Sequence, residues 1–244
     1  MISDVLDGLK RVPSNSVNLI VTSPPYNLGF NYGEGIIDEQ PWSFYYSWCH
    51  YWLSECFRVL TPDGRIAINH YFSCGSAKAG RSAPLMELNT IMQKIGFKHH
   101  AVAFWPDATV SRLTAWGSWM KASAPYINSP YEGILIMYKN QWKRLKKGIS
   151  TITKEEFIKS VSGVWNISPE KKKNVNHPAA FPVGLPKRCI ELLTYEGDIV
   201  LDPFMGSGTV GVASVQTKRN FIGIEKNATY AKDAKRRIYK EIKK

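Results

Sequence analysis

The sequence has little cysteine and no paired cysteine spacing. Cys49, Cys56, Cys74 and Cys189 are the four in 244 residues, and none forms a CxxC pair. That argues against a zinc ribbon or disulfide framework and predicts a reduced, cytoplasmic compartment with no metal site. No apolar run reaches 18 residues, so no transmembrane helix and no membrane partner are expected. The first residues, Met1-Ile2-Ser3-Asp4, lack the basic start and apolar core of a signal peptide. Acidic residues are scarce: 20 Asp and Glu stand against 32 Lys and Arg, a net charge of +12. This excess favours polyanionic partners, nucleic acid first and an anionic membrane second. There is no internal repeat and no low-complexity tract. Hydrophobic residues at 44% suit a globular chain, and the length allows one large domain, with or without a small insertion.

The chain is organised around Val17–Gly29, VNLIVTSPPYNLG. Its apolar run reads as a buried strand stopped by turn signals. Two successive prolines cannot continue a strand interior, because each lacks a ladder N–H. They make a stiff turn that presents Ser23, the Pro24 carbonyl and the Tyr26 ring. Polar acceptors beside a flat aromatic face suit a planar, amide-like group such as a nucleobase edge. A Pro-terminated strand with a packing tyrosine explains the same residues, and on this segment alone both readings stand.

Around it, Asp4–Leu9 reads as a turn and short helix, and the glycines of Asn27–Gln40 predict a mobile loop. Pro41–Val59 reads as a helix with Phe44, Trp48, Trp52 and Cys56 on a core-facing side. Thr61–Gly64 is an expected tight turn, Arg65–His70 a strand and Ser73–Ser82 a flexible segment. Leu85–Ile95 is a helix stopped by Gly96, flanked by strands Lys98–Trp105 and, past an irregular Pro106–Pro130, Glu132–Tyr138. Alternating strands and helices predict an α/β fold with a largely parallel sheet. Gln141–Asn174 is basic and weakly patterned, either a solvated insertion or a nucleic-acid-facing element. Asn176–Leu185 is Pro-rich and leads into a helix at Lys187–Leu193.

A second constellation is Gly197–Gly208, GDIVLDPFMGSG. A strand, Ile199–Leu201, ends at Asp202-Pro203. Gly206 and Gly208 then open a helix at Thr209–Thr217, where backbone N–H groups can face a ligand. Strand Phe221–Ile224 ends at Glu225, about 20 residues past the glycines, where an acid can take ribose hydroxyls. Gly206, Gly208 and Gly211 also satisfy the dinucleotide pattern G-x-G-x-x-G, so a nicotinamide-dependent oxidoreductase competes. Against it, Asp202-Pro203-Phe204-Met205 separates the strand from the first glycine. A carboxylate there repels pyrophosphate but suits a cationic ligand such as S-adenosylmethionine.

The stretches TSPPYN (22–27), FRVLTPDGRIAI (57–68), YEGILIMYK (131–139), HPAAFPVGLPKRCI (177–190), DPFMGSGTVGVA (202–213) and FIGIEK (221–226) resemble the DNA amino-methyltransferases of bacterial restriction-modification systems. Their order, catalytic motif first and cofactor motif last, is similar to the β group. The resemblance implies a circularly permuted, Rossmann-like S-adenosylmethionine-dependent fold: a mostly parallel sheet with one antiparallel strand and a small target-recognition insertion. It divides the chain into a catalytic half (1–140), a candidate recognition insertion (141–174) and a cofactor half (175–244). Ser23, Pro24, Pro25 and Tyr26 are then catalytic and hold a flipped base. Asp202, Phe204, Gly206, Ser207, Gly208 and Thr209 surround the methionine part, Phe181 and Pro182 line the pocket from the other side, and Glu225 binds the ribose. Asp4 matches the acid that approaches adenine. The strand before it has almost no counterpart, which implies a shortened strand or a reading frame that begins late.

The family tends to use Ser-Pro-Pro-Tyr for cytosine N4 and Asp-Pro-Pro-Tyr for adenine N6, so Ser23 favours cytosine. Carbon-5 methylation needs a nucleophilic cysteine, and the usual Pro-Cys is absent. The target lies inside a duplex, so the base must be flipped out. No strong general base is evident. Candidate DNA contacts are Arg112 and Lys121 in one region and Lys143, Arg144, Lys146 and Lys147 in the other. An inactive nucleic-acid binder is the remaining alternative. Implied partners are double-stranded DNA, a cognate restriction endonuclease and, by family habit, a second copy, in a nucleoid-associated bacterial enzyme.

Overall fold

A computed structural model describes residues 1–33, 38–76, 78–106, 117–127, 129–168 and 181–243. The helices and strands run α1 (Val5–Lys10), β1 (Val17–Thr22), α2 (Trp42–Val59), β2 (Leu60–Tyr71), β3 (Cys74–Ser76), β4 (Gly80–Ser82), α3 (Pro84–Ile95), β5 (Lys98–Pro106) and β6 (Tyr131–Tyr138). They continue with α4 (Lys154–Val161), α5 (Gly184–Leu193), β7 (Ile199–Asp202), α6 (Thr209–Gln216), β8 (Asn220–Gly223) and α7 (Ala228–Ile242).

Six strands form one sheet in the order β5-β6-β2-β1-β7-β8. β1 is parallel to both β2 and β7, and β7 is parallel to β8. β6 runs antiparallel to β2 and to β5, so it is the single reversed strand, as the family resemblance implied. Leu19 sits opposite Arg65 on one side and Val200 on the other, which places β1 at the centre. Period-2 alternation sends neighbouring side chains to opposite faces. On β6, Leu135 and Met137 join a core beneath α2 and α3, built on Trp52, Leu53, Leu88 and Met92. Ile134 and Ile136 join a second core beneath α5 and α6, built on Ile190, Val210 and Ala213. Both faces are covered, which is why these strands read as continuous apolar runs.

Three local expectations change. In α2 the buried stripe is Tyr45, Cys49, Trp52, Leu53, Cys56 and Val59, whereas Phe44 is exposed. One residue turns a helix by about 100°, so Phe44 and Tyr45 cannot share a face. Thr61–Gly64 is not a free turn: Val17 pairs with Leu60 and Leu19 with Arg65, so the four residues bulge out of β2. Ser73–Ser82 holds a two-stranded ribbon, β3–β4. Its tether is α2, through Trp42 Nε1 donating to the Gly80 carbonyl (3.1 Å) and Tyr46 against Ser82 Oγ (2.6 Å).

The basic stretch after β6 begins as a strap along the N-terminal ends of the strands. Arg144 is half-buried there, bonded to Asp63 (3.0 Å) and to both oxygens of Asp198. Arg219, just before β8, donates to Thr151 at 2.6 Å. No helix among the described residues is long and apolar enough to cross a membrane.

Candidate active site

A cavity of about 320 Å³ opens at the C-terminal ends of β1, β7 and β8. Parallel strands end there together, and the loops that leave them converge, the usual ligand position in such sheets. Ser23, Pro24, Pro25 and Tyr26 line it from β1, Pro203, Phe204 and Gly206 from β7, and Glu225 from β8. Asp4 reaches the same cavity while its carboxylate caps α1 through the Leu6 N–H at 3.0 Å. A parallel bridge, Ile2 to Glu225, stands where the shortened strand was expected. Residues far apart in sequence therefore share one wall.

The Ser-Pro-Pro-Tyr turn is held from behind by two chains of hydrogen bonds. In the first, Ser23 Oγ donates to the Tyr26 hydroxyl (2.8 Å), which donates to Glu132 Oε2 (2.7 Å). Asn69 Nδ2 donates to the Tyr26 hydroxyl (2.9 Å) and also to Glu132. In the second, the Tyr45 hydroxyl donates to the Pro25 carbonyl at 2.7 Å and lies 3.2 Å from His70 Nε2. Tyr45 has one proton and spends it on Pro25, so His70 donates from Nε2. Burial drives the His70 pKa down to about 3, so the ring is neutral. With Pro25 occupied, Pro24 is the proline whose carbonyl is left as the expected acceptor. The Tyr26 ring packs at 4.6 Å from His70 and edge-on to Tyr71 at 5.1 Å.

The glycine turn is built around Glu225. Its Oε2 accepts the Gly206 N–H and its Oε1 the Asn227 N–H, each at 2.8 Å. Burial raises its pKa. A carboxylate already fills the Gly206 amide that a pyrophosphate would need, so a dinucleotide reading loses its anchor. Gly208 is left-handed (φ 80°), and a Cβ there would sit 2.8 Å from Ala234 on α7. Arg237 ties the turn to α7 by donating to Thr209 Oγ1 at 3.0 Å, with Ser207 beside it.

Asp202 is buried and does not line the cavity itself. Its Oδ1 accepts from Thr22 Oγ1 (2.7 Å) and from the Phe204 N–H (3.0 Å), joining the ends of β1 and β7. Burial pushes its pKa up to about 7. Phe181 and Pro182 are not among the lining residues; Phe181 packs on the second core. The loop after Tyr26 is closed, not loose, at its described ends. Asn27 and Gln40 exchange two hydrogen bonds of 2.8 Å, and the Asn27 N–H meets Asp38 at 3.0 Å.

The chemistry of the cavity fits S-adenosylmethionine. Phe204, Ile224 and Val5 offer apolar surface to a purine, Glu225 offers a fixed acceptor to ribose hydroxyls, and Asp202 adds negative charge nearby. The DNA contacts expected from the basic stretch do not gather here. Arg144 is committed to Asp63 and Asp198, which corrects its assignment, because a guanidinium already paired with two carboxylates is not available to phosphate. Lys143, Lys146 and Lys147 are exposed on the same strap, at the edge of the sheet opposite the cavity. Lys121 is exposed, and Arg112 lies outside the described residues. Glu132, Asn69, Tyr45 and His70 were missed as site residues. A carboxylate heading the apolar strand YEGILIMY was the one legible signal for them.

Comparison with known proteins agrees with this geometry. The model of the N6/N4 DNA methylase family matches residues 17–236. A type II methyltransferase of Methanocaldococcus jannaschii, M.MjaVI, is 41% identical over 165 residues, 68% of this chain and 84% of that protein. The DNA adenine methyltransferase YhdJ of Escherichia coli is 29% identical over 96% of this chain and 80% of its own. The structure of TTHA0409 from Thermus thermophilus, complexed with S-adenosyl-L-methionine, superposes with a TM-score of 0.77 at 27% identity, over 99% of this chain and 93% of that one. A sheet with one reversed strand, a clamped Ser-Pro-Pro-Tyr turn and a cofactor cavity at its C-terminal edge accordingly mark a chain that belongs to the N6/N4 DNA methylase family, the S-adenosylmethionine-dependent DNA amino-methyltransferases.

Proposed function

We propose that this chain methylates the exocyclic N4 amine of a cytosine flipped out of duplex DNA. The observation that carries transfer to an amine is Ser23, whose proton is committed to Tyr26, so that its lone pairs remain for an N–H; the choice of cytosine rests on serine, not aspartate, heading the Pro-Pro-Tyr turn. The Pro24 carbonyl is the second acceptor. Two acceptors on one amine fix its rotation and aim the nitrogen lone pair, and such positioning supplies much of the acceleration in a direct displacement. Tyr26 supports the base with its ring. S-adenosylmethionine would supply the methyl group, with Glu225 facing its ribose and Asp202, behind the cavity wall, adding negative charge on the side of its amino group. The base enters from the C-terminal edge of the sheet, and the exposed Lys121 is the retained candidate for phosphate contact, with Arg112 kept from the sequence alone. A cognate endonuclease and a homodimer remain part of this reading.

Adenine N6 is the second reading, favoured by the likeness to a DNA adenine methyltransferase. Both amines need the same acceptors, so the hydrogen-bond geometry by itself does not separate them. Incubation with S-adenosylmethionine and unmethylated genomic DNA, followed by nucleoside mass spectrometry, separates them. N4-methylcytosine is the expected product; N6-methyladenine overturns the cytosine assignment while keeping the mechanism.

A further inference from the structure

We propose that Glu132 sets the hydrogen-bond polarity of Ser23 toward the target amine, acting through the Tyr26 hydroxyl. The inference rests on the amino-methyltransfer reading above. A phenol has one proton to give and two lone pairs with which to receive. At Tyr26 the proton goes to Glu132, and the lone pairs meet Ser23 and Asn69. Asn69 Nδ2 can only donate, so it cannot reverse this order. Ser23 also has one proton, and the order turns it away from the cavity. What Ser23 presents to the cavity is therefore an acceptor, as an amine requires and as a carbonyl in the same place would not tolerate.

The polarity is fixed because its parts are buried. Tyr26, Asn69 and Glu132 are each no more than 7% exposed, so a broken bond here finds little water in compensation. Burial, reinforced by the charge of Glu132, holds the Tyr26 phenol well above its ordinary pKa, which keeps its proton in place. The sheet register sets the geometry. Glu132, the second residue of β6, lies opposite Tyr71, two residues beyond Asn69 on β2, and the turn follows β1 next to β2. Three adjacent strands thus each contribute one member. Glu132 is a positioning residue in this assignment and touches no reacting atom.

The test uses the wild-type chain and the variants Tyr26→Phe, Glu132→Leu and the double variant. The probes are duplexes that carry the site mapped by the methylation experiment, with the target base or its deaminated counterpart, whose amine is a carbonyl. Wild-type protein is expected to prefer the amine. Either single substitution releases the Ser23 proton, so the preference is expected to fall at least about tenfold, as for other sites that lose a buried hydrogen-bond match. The double variant is expected to be no worse than the more affected single one, since both act through one hydroxyl. S-adenosylmethionine affinity is expected to stay unchanged. Additive losses, an unchanged amine preference, or an equal loss of cofactor binding would overturn the assignment. If Glu132→Leu does not fold, Glu132→Met takes its place in the cycle, because it keeps the length of the side chain and removes the carboxylate. A wild-type chain that transfers no methyl group overturns the underlying reading; a methylating wild type with unaltered variants overturns only the role of Glu132.

Discussion

Asp202 shows how one buried carboxylate can serve both fold and ligand. Its Oδ1 closes the gap between β1 and β7, yet the surrounding core raises its pKa to about 7. A cationic amino group prefers the ionised form. S-adenosylmethionine affinity should therefore rise as pH climbs toward 7 and fall by up to about tenfold per unit below it. Calorimetric titration between about pH 5.5 and 7.5 checks this, and Asp202→Asn should flatten the profile while weakening binding more than about tenfold. Stability without cofactor has the opposite sign. A carboxyl whose folded pKa is raised stabilises the fold fully below its unfolded value near 3.9, and that contribution is lost as pH rises through about 7. Glu225 makes a different prediction. Glu225→Ala leaves the Gly206 and Asn227 amides without their acceptor, so cofactor binding should weaken by about tenfold or more in the same titration.

At the scale of elements, close approach decides what is tolerated. Gly208 opens α6 in a left-handed conformation against Ala234, so Gly208→Ala combines backbone strain with overpacking. A cost of about 2 kcal/mol is expected, read as a melting temperature lowered by roughly 4–8 °C in a chain of this size. The strap after β6 makes a second case. Arg144→Ala strands the buried Asp63 carboxylate and the half-buried Asp198 carboxylate and should cost about 1–3 kcal/mol in denaturant unfolding, with cofactor affinity unchanged because the cavity lies at the other edge. Composition suggested the reverse role for this residue. A run of Lys and Arg looks solvated in sequence, and nothing local shows that two acids, 81 and 54 residues away, enclose one member of it. Phe44 misled for a related reason: the apolar series in α2 has two possible phases, and only the packed sheet selects one.

The whole molecule separates its binding surfaces by sheet edge. The strap with Lys143, Lys146 and Lys147 follows the N-terminal ends of the strands, and the cavity opens at the C-terminal ends. A duplex engaged at the cavity edge should thus be insensitive to Lys146→Ala and Lys147→Ala but weakened by Lys121→Ala. A fluorescent-duplex titration tests the contrast. With the two retained phosphate contacts, affinity should drop about tenfold between roughly 50 and 200 mM salt, whereas cofactor affinity should barely move. The net charge of +12 makes such a salt response expected but does not say where the duplex lies.

Local sequence was enough for the six strands of the main sheet, the α/β class, the proline turn and the glycine turn, because strand burial, proline and glycine act directly on the nearby backbone. It also placed Asp4, Ser23, Tyr26, Phe204 and Glu225, each within a short motif at a strand or helix end. Which polar side chains meet behind those motifs emerged only once the chain was folded. Glu132 and Tyr26 are 106 positions apart, and Asp63 and Arg144 are 81 apart. Their pairing depends on the order and register of strands, which follow from how both sheet faces pack, a property no short stretch of sequence carries.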